Sequence, residues 1–232
     1  MNHKIVNIYK FIYLGIDMKR IGITQKIVFD KNNVLCDLLE SSYSSYFSKL
    51  GIILVPISNF TEDTKKYLEE LKLEGFILSG GNNVNPNLYN SSEIMGDVFE
   101  QRDKTEKCVM DYAIEKKLPV FGICRGFEFI NVYFKGKLSK VDAKTHIAKI
   151  HEIKVSNEKK NIIVNSYHEL GIERNNLSDE LEPFSICLQD NTVESFKHKK
   201  LAIIGVMWHP ERNKLKQDEK FNEKLITSFF KV

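Results

Sequence analysis

Short runs of β-branched residues alternate with stretches of helical periodicity along this chain. Strands are predicted over Arg20–Thr24, Ile52–Ile57, Gly75–Leu78, Pro119–Ile123 and Ile203–Trp208. Further strands are predicted over Glu152–Val155, Ile162–Val164, Phe184–Leu188 and Thr192–Phe196. Helical periodicity covers Val34–Leu50, Thr61–Leu71, Asp103–Lys117, Gly126–Phe134 and Asp218–Phe230. In Asp103–Lys117 the apolar face is Val109, Ala113 and Ile114. Asp103 and Glu106 sit in its first turn, Lys116 and Lys117 in its last, as the helix dipole favours. The first half reads β-α-β-α-β-loop-α-β-α. That order predicts an α/β fold with a doubly wound, mostly parallel sheet, to which the second half adds antiparallel strands. In such sheets ligands bind at the carboxyl ends of the strands. Three strand ends stand out: "SGGNNVNP" after the third predicted strand, "CRG" after the fourth and "HPE" after the last.

Composition narrows the function classes. With 232 residues, 42% hydrophobic and 28% charged, residues 18–232 suit one globular domain. A net charge of +3, with lysines mixed among acids, offers no nucleic-acid footprint. No apolar run approaches the ~18 residues that would predict a membrane span. Cys36, Cys108, Cys124 and Cys187 include no CxxC pair, which argues against a zinc site or a disulfide framework. Free thiols suit the cytoplasm. Residues 1–17 contain a short apolar run without a cleavage site, so a signal peptide is disfavoured. They are expected to be a non-native or disordered extension ahead of Met18. Leu14-Gly15-Ile16-Asp17 can be encoded with a ribosome-binding sequence just upstream of that methionine.

Cys124 lies in Gly-Ile-Cys-Arg-Gly, between a predicted strand and a predicted helix. This spacing matches a nucleophile elbow with sulfur in place of oxygen, where the flanking glycines let strand and helix pack closely. The helix N-terminus favours a thiolate there, although a buried cysteine is also a common core residue. A cysteine nucleophile needs a base and the base an orienting partner. His209 and Glu211, one Pro apart, supply both. Gly80-Gly81 follows a strand directly. It reads as half of an oxyanion hole, with the Arg125 N–H as the other half, or as a plain turn. It is not a P-loop, because no GK[ST] follows.

These residues in this order resemble the class I glutamine amidotransferase-like family, in particular its free-standing γ-glutamyl hydrolase branch, the peptidase C26 type. The likeness spans Met18 to Arg212 and rests on "SGGNNVNPNLY", "RDKTEKCVMDYAIEKKLPVFGICRGFEFINVYFKGKL", "VNSYH" and "GVMWHPE". It implies a flavodoxin-like amidotransferase fold, with Cys124 as nucleophile, His209 as base and Glu211 as its partner. Gly81 and the Arg125 N–H would form the oxyanion hole. Gly80, Arg102, Glu128, Asn165, Ser166 and His168 would lie at the substrate, although Arg102 and His168 fit a structural role equally well. Glu128 stands where the family usually has Gln, and an anionic carboxylate only accepts hydrogen bonds. Glu169, Leu170, Met207 and Lys135-Gly136 also depart from the pattern.

The resemblance implies no metal and no cofactor. The partner it implies is a small γ-glutamyl compound, possible nucleotide linkage included, with no nucleic acid and no membrane. Whole-chain likeness favours γ-glutamyl-CDP-amidate, cleaved to L-glutamate and cytidine diphosphoramidate in capsule phosphoramidate biosynthesis. Arg102, Arg125 or nearby lysines would then meet the diphosphate. The alternatives are a glutaminase subunit supplying ammonia to a synthetase, and a γ-glutamyl-polyamine or γ-glutamyl-GABA hydrolase. A catalytically dead module is disfavoured by the intact triad. A deglycase-like relative would lack HPE.

Overall fold

The structure is a computed structural model that describes residues 18–92, 96–156, 158–212 and 218–232. Residues 1–17, on which the expectation of a non-native extension falls, lie outside the described residues. In chain order the first half comprises β1 Lys19–Thr24, β2 Lys26–Phe29, β3 Leu35–Leu38, α1 Ser41–Phe47, β4 Ile52–Ile57, α2 Thr64–Leu71, β5 Phe76–Leu78, α3 Glu100–Lys116, β6 Val120–Ile123 and α4 Arg125–Tyr133. The second half comprises β7 Ser139–Lys140, α5 Ala143–His146, β8 Ile147–Val155, β9 Ile162–Tyr167, β10 Leu170–Gly171, β11 Leu181–Cys187, β12 Val193–His198, β13 Ile203–Val206 and α6 Glu219–Phe230.

Nine strands form one sheet in the order β4-β1-β5-β6-β13-β12-β11-β8-β9. The first five are mutually parallel. The last four run antiparallel to their neighbours. The central parallel strands β5, β6 and β13 are buried on both faces, as their continuous apolar runs require, while the edge strand β4 leaves Ile53 exposed. Phe76 and Leu78 of β5 face one core with Val109, Met110 and Phe127, while Ile77 faces the other with Phe47, Ile226 and Phe230. The same alternation in β6 and β13 places helices on both sides of the sheet. Among the described residues no helix is long and apolar enough to cross a membrane. All four cysteines are free.

One predicted helix is shorter than its periodicity suggested. Leu35–Leu38 is not the start of a helix over Val34–Leu50 but strand β3, paired antiparallel with β2. A turn decides this. The Asp30 carboxylate accepts from the N–H groups of Asn32 and Val34, both at 2.8 Å, and Asn33 takes a φ of 60°. Such Asp/Asn chemistry closes a hairpin that apolar spacing cannot reveal. Helix α3 also differs from expectation. Its first-turn Asp103 and the following Glu106 are buried rather than solvated, and they serve the site described below.

Candidate active site

β6 delivers Cys124 to the carboxyl edge of the sheet between two other strand ends. Cys124 has φ 51° and ψ −108°, a strained conformation for a residue with a side chain. Its N–H donates to Val206 O at 2.9 Å, continuing the β6–β13 pairing, and its carbonyl accepts from Glu128 N at 3.1 Å, opening α4. The flanking glycines are steric necessities. A Cβ on Gly126 would stand 2.1 Å from Leu78 O, and one on Gly122 would stand 2.7 Å from Gly126 O. Helix α4 therefore lies directly on β5 and β6, and Cys124 is the residue at its N-terminus, immediately before Arg125.

β13 ends at Val206, three residues before His209, and a clamp fixes that segment. Asn165 of β9 accepts from His209 N at 2.9 Å and donates to the carbonyls of His209 (2.7 Å) and Arg212 (3.0 Å). His209 Nδ1–H donates to Glu211 Oε1 at 2.7 Å, which leaves Nε2 to interact with Cys124. His209 and Glu211 are buried. Burial alone would lower the imidazole pKa, but Glu211 and Cys124 outweigh it and raise His209 to about 10. The site thus favours an imidazolium against the sulfur.

The loop after β5 is held from behind. The Arg102 guanidinium, fully buried, donates to the carbonyls of Ser79 (2.8 Å), Gly80 (3.2 Å) and Gly81, and to Asn82 Oδ1 (3.0 Å). In a trans peptide the N–H points opposite the carbonyl, so the following N–H groups face away from Arg102. The Gly80 N–H is taken by the Tyr43 hydroxyl at 2.9 Å. That leaves the N–H groups of Gly81, at a φ of 81°, and Asn82 as the loop's donors without a partner among the described residues. A Cβ on Gly80 would stand 2.6 Å from His209 Cε1, so the loop packs against the His209 ring.

Behind Cys124 lies a buried charge network. Arg125 pairs with Glu106 and Asp103, and Arg102 donates to the other Glu106 oxygen at 3.1 Å. Thr24 Oγ1 completes Glu106 at 2.9 Å. Burial pulls Arg102 down to about 10 and Arg125 to about 9, and both remain cationic at neutral pH. Glu128 makes no hydrogen bond through its carboxyl group among the described residues. Burial raises it to about 8 against the pull of Arg125, Arg102 and His209.

The structure brings Cys124, His209, Glu211, Gly80, Gly81, the Arg125 N–H and Glu128 to one place. Arg102 spends its donors on the loop and Glu106, and the Arg125 side chain turns its two terminal nitrogens to Asp103 and Glu106. Ser166 Oγ donates to His146 O at 2.7 Å, and His168 Nδ1–H donates to Leu170 O at 2.7 Å. Tyr43 and Glu106 gave no sign in the sequence. Tyr43 reads as one apolar position of a helix, and Glu106 as a first-turn acid. Tyr43 is buried, and burial, Glu211 and Cys124 together push its hydroxyl well above the ordinary tyrosine range, so it stays protonated.

A thiol beside an imidazole that a carboxylate orients, at the carboxyl edge of a parallel sheet, fits a cysteine hydrolase. The sequence matches the peptidase C26 family over residues 21–211, and the chain belongs to that family. It is 36% identical over 195 residues to the gamma-glutamyl-CDP-amidate hydrolase of Campylobacter jejuni, covering 83% of this chain and 90% of that protein. It is 30% identical over 210 residues to the putative glutamine amidotransferase-like protein YvdE of Lactococcus lactis, covering 81% and 86%. In fold it is similar to a glutamine amidotransferase from Thermotoga maritima, with a TM-score of 0.56 and 14% identity over 84% of this chain and 76% of that one. The protein is a hydrolase of the glutamine amidotransferase type.

Proposed function

We propose that the protein hydrolyses a γ-glutamyl amide through a thioester on Cys124, with γ-glutamyl-CDP-amidate as substrate. The observation that carries the reading is the His209 ring, bonded to Glu211 on one side and facing Cys124 on the other. The substrate identity rests on the similarity to the Campylobacter jejuni enzyme across most of both chains.

The γ-carbonyl sits about 3 Å from the sulfur, the separation a near-attack geometry needs. Thiolate attack forms the C–S bond and an oxyanion, which the Gly81 and Arg125 N–H groups stabilise. His209 gives its proton to the leaving nitrogen as the C–N bond breaks. It then takes a proton from water, which cleaves the thioester to glutamate and free thiol. Glu211 keeps the imidazole in the tautomer this needs. Glu128 is protonated below about pH 8. A neutral carboxyl group donates one hydrogen bond, so it offers the glutamyl α-carboxylate what Gln offers. The departure at this position therefore preserves the donor.

The test is glutamate release by the purified chain from γ-glutamyl-CDP-amidate, glutamine and simple γ-glutamyl amines in parallel. The nucleotide conjugate is expected to give the highest kcat/KM. Cys124→Ala is expected to fold and lose turnover, and Glu211→Gln to be impaired less. Turnover by Cys124→Ala would refute the mechanism. Release from glutamine alone, rising when a synthetase is added, would replace the substrate assignment with an ammonia-supplying role.

A further inference from the structure

The antiparallel half of the sheet buries a second cluster of reactive side chains that the thioester chemistry does not use. His146 at the end of α5, His151 of β8, His168 after β9 and Glu194 of β12 have side chains no more than 2% exposed. His168 Nε2 and His146 Nδ1 each lie 3.8 Å from Glu194 Oε1. Two ligands bound to one tetrahedral zinc at about 2.1 Å are about 3.4 Å apart, so this spacing leaves room for one ion among the three atoms.

The outer ring nitrogens are already committed. His146 Nε2–H donates to Asp190 Oδ2 at 2.7 Å, and Asp190 is itself held by Thr192 N (3.0 Å) and Thr192 Oγ1 (2.7 Å). His168 Nδ1–H donates to the Leu170 carbonyl at 2.7 Å. A carboxylate or carbonyl on the far nitrogen is how proteins orient metal-binding imidazoles and turn the lone pair inward. Ser166 Oγ spends its proton on the His146 carbonyl, so it leaves His146 Nδ1 open. Of the inward atoms, His168 Nε2 makes no hydrogen bond despite full burial, and Glu194 Oε1 has only a 3.5 Å contact from Thr192 Oγ1, whose proton already goes to Asp190 Oδ1 at 2.7 Å. Buried polar atoms without partners are costly, and a bound cation would satisfy those at its site.

We propose that His146 Nδ1, His168 Nε2 and Glu194 Oε1 bind a divalent transition metal of the zinc class. Two imidazoles and one carboxylate, closed off from water, suit zinc rather than magnesium or calcium, which prefer all-oxygen shells. His151 Nε2, 3.3 Å from Glu194 Oε2, stands beside the second carboxylate oxygen. Cys187 is outside the set because its thiol donates to Gln189 Oε1 at 3.0 Å. The ion would join α5, the β9–β10 turn and β12. Strand β9 also carries Asn165, the clamp on His209, so the site would stiffen the wall that holds the catalytic ring.

Zinc is titrated into the chelator-treated, untagged full chain, and bound metal and the thermal midpoint are measured. The same titration in Cys124→Ala removes Cys124 and His209 as a competing ligand set, and the absence of a thiolate band in the cobalt spectrum below excludes Cys187 with His151. One zinc per chain is expected in both, with a higher thermal midpoint. His168→Ala and Glu194→Gln should lose stoichiometric binding, and Asp190→Asn should weaken it roughly 10- to 100-fold. Absence of bound zinc and of any midpoint shift would overturn the site. So would zinc that persists in His168→Ala but disappears in Cys124→Ala. Cobalt in the Cys124→Ala chain decides the ligands even if the other variants fail to fold. Visible d–d bands without a thiolate charge-transfer band are expected. A thiolate band or a featureless spectrum would refute the assignment.

Discussion

Glu128 is fully buried beside two arginines and an imidazolium, yet burial wins and its carboxyl group holds a proton up to about pH 8. The consequence for stability has a definite sign. Its pKa in the folded chain lies above the ordinary carboxylate value, so the stability linked to this group is complete below about 4.5 and is lost as pH rises through about 8. Glu128→Gln removes that dependence. The variant should match the wild type near pH 4.5 and exceed it above pH 8 by on the order of a few kcal/mol, read from urea midpoints across pH. The kinetic counterpart follows from the donor role. Wild-type KM should rise as pH passes about 8, while the KM of Glu128→Gln stays level. A parallel KM rise in both would remove Glu128 from the glutamyl site.

At the scale of elements, the triad was legible because each part sits at a strand end with its own local signature. Cys124 is framed by two glycines, and His209 and Glu211 are joined by one proline. The glycine reading also has a steric basis, since Gly126 touches β5 backbone. Gly126→Ala should destabilise the chain by about 1–3 kcal/mol, measured by denaturant unfolding, because Leu78 O cannot retreat without separating α4 from β5. An unchanged midpoint would mean that α4 can shift freely. Other partners were not legible. Tyr43 reaches Gly80 from α1, and Arg102 reaches the same loop from α3. Neither contact has a sequence spacing to betray it. Local hydrogen bonding misled in the other direction: the Asp30 turn overrode an apolar period and converted Leu35–Leu38 into a strand.

Across the whole molecule, burial is concentrated where the chemistry lies. β5, β6 and β13 are covered on both faces and carry the Gly80-Gly81 loop, Cys124 and the His209 segment at one edge. The β2–β3 hairpin is a separate two-stranded sheet in which, apart from the buried Ile27, the side chains are half-buried or exposed. Native-state hydrogen exchange should therefore be slowest in β5, β6 and β13, at the free energy of global unfolding, and fast in the hairpin. Equal protection in both would contradict this order. Read by itself, the chain determined the alternation of strands and helices, the strand-end position of Cys124, His209 and Glu211, and the kinship that follows from them. Those features are local, because strand periodicity and turn chemistry act over a few neighbouring residues. Only the tertiary structure decided that Arg102 braces the loop, that Glu128 stays protonated, and that His146, His168 and Glu194 meet in one buried cluster. Those outcomes depend on contacts between residues far apart in sequence and on exclusion of water, which no local pattern records.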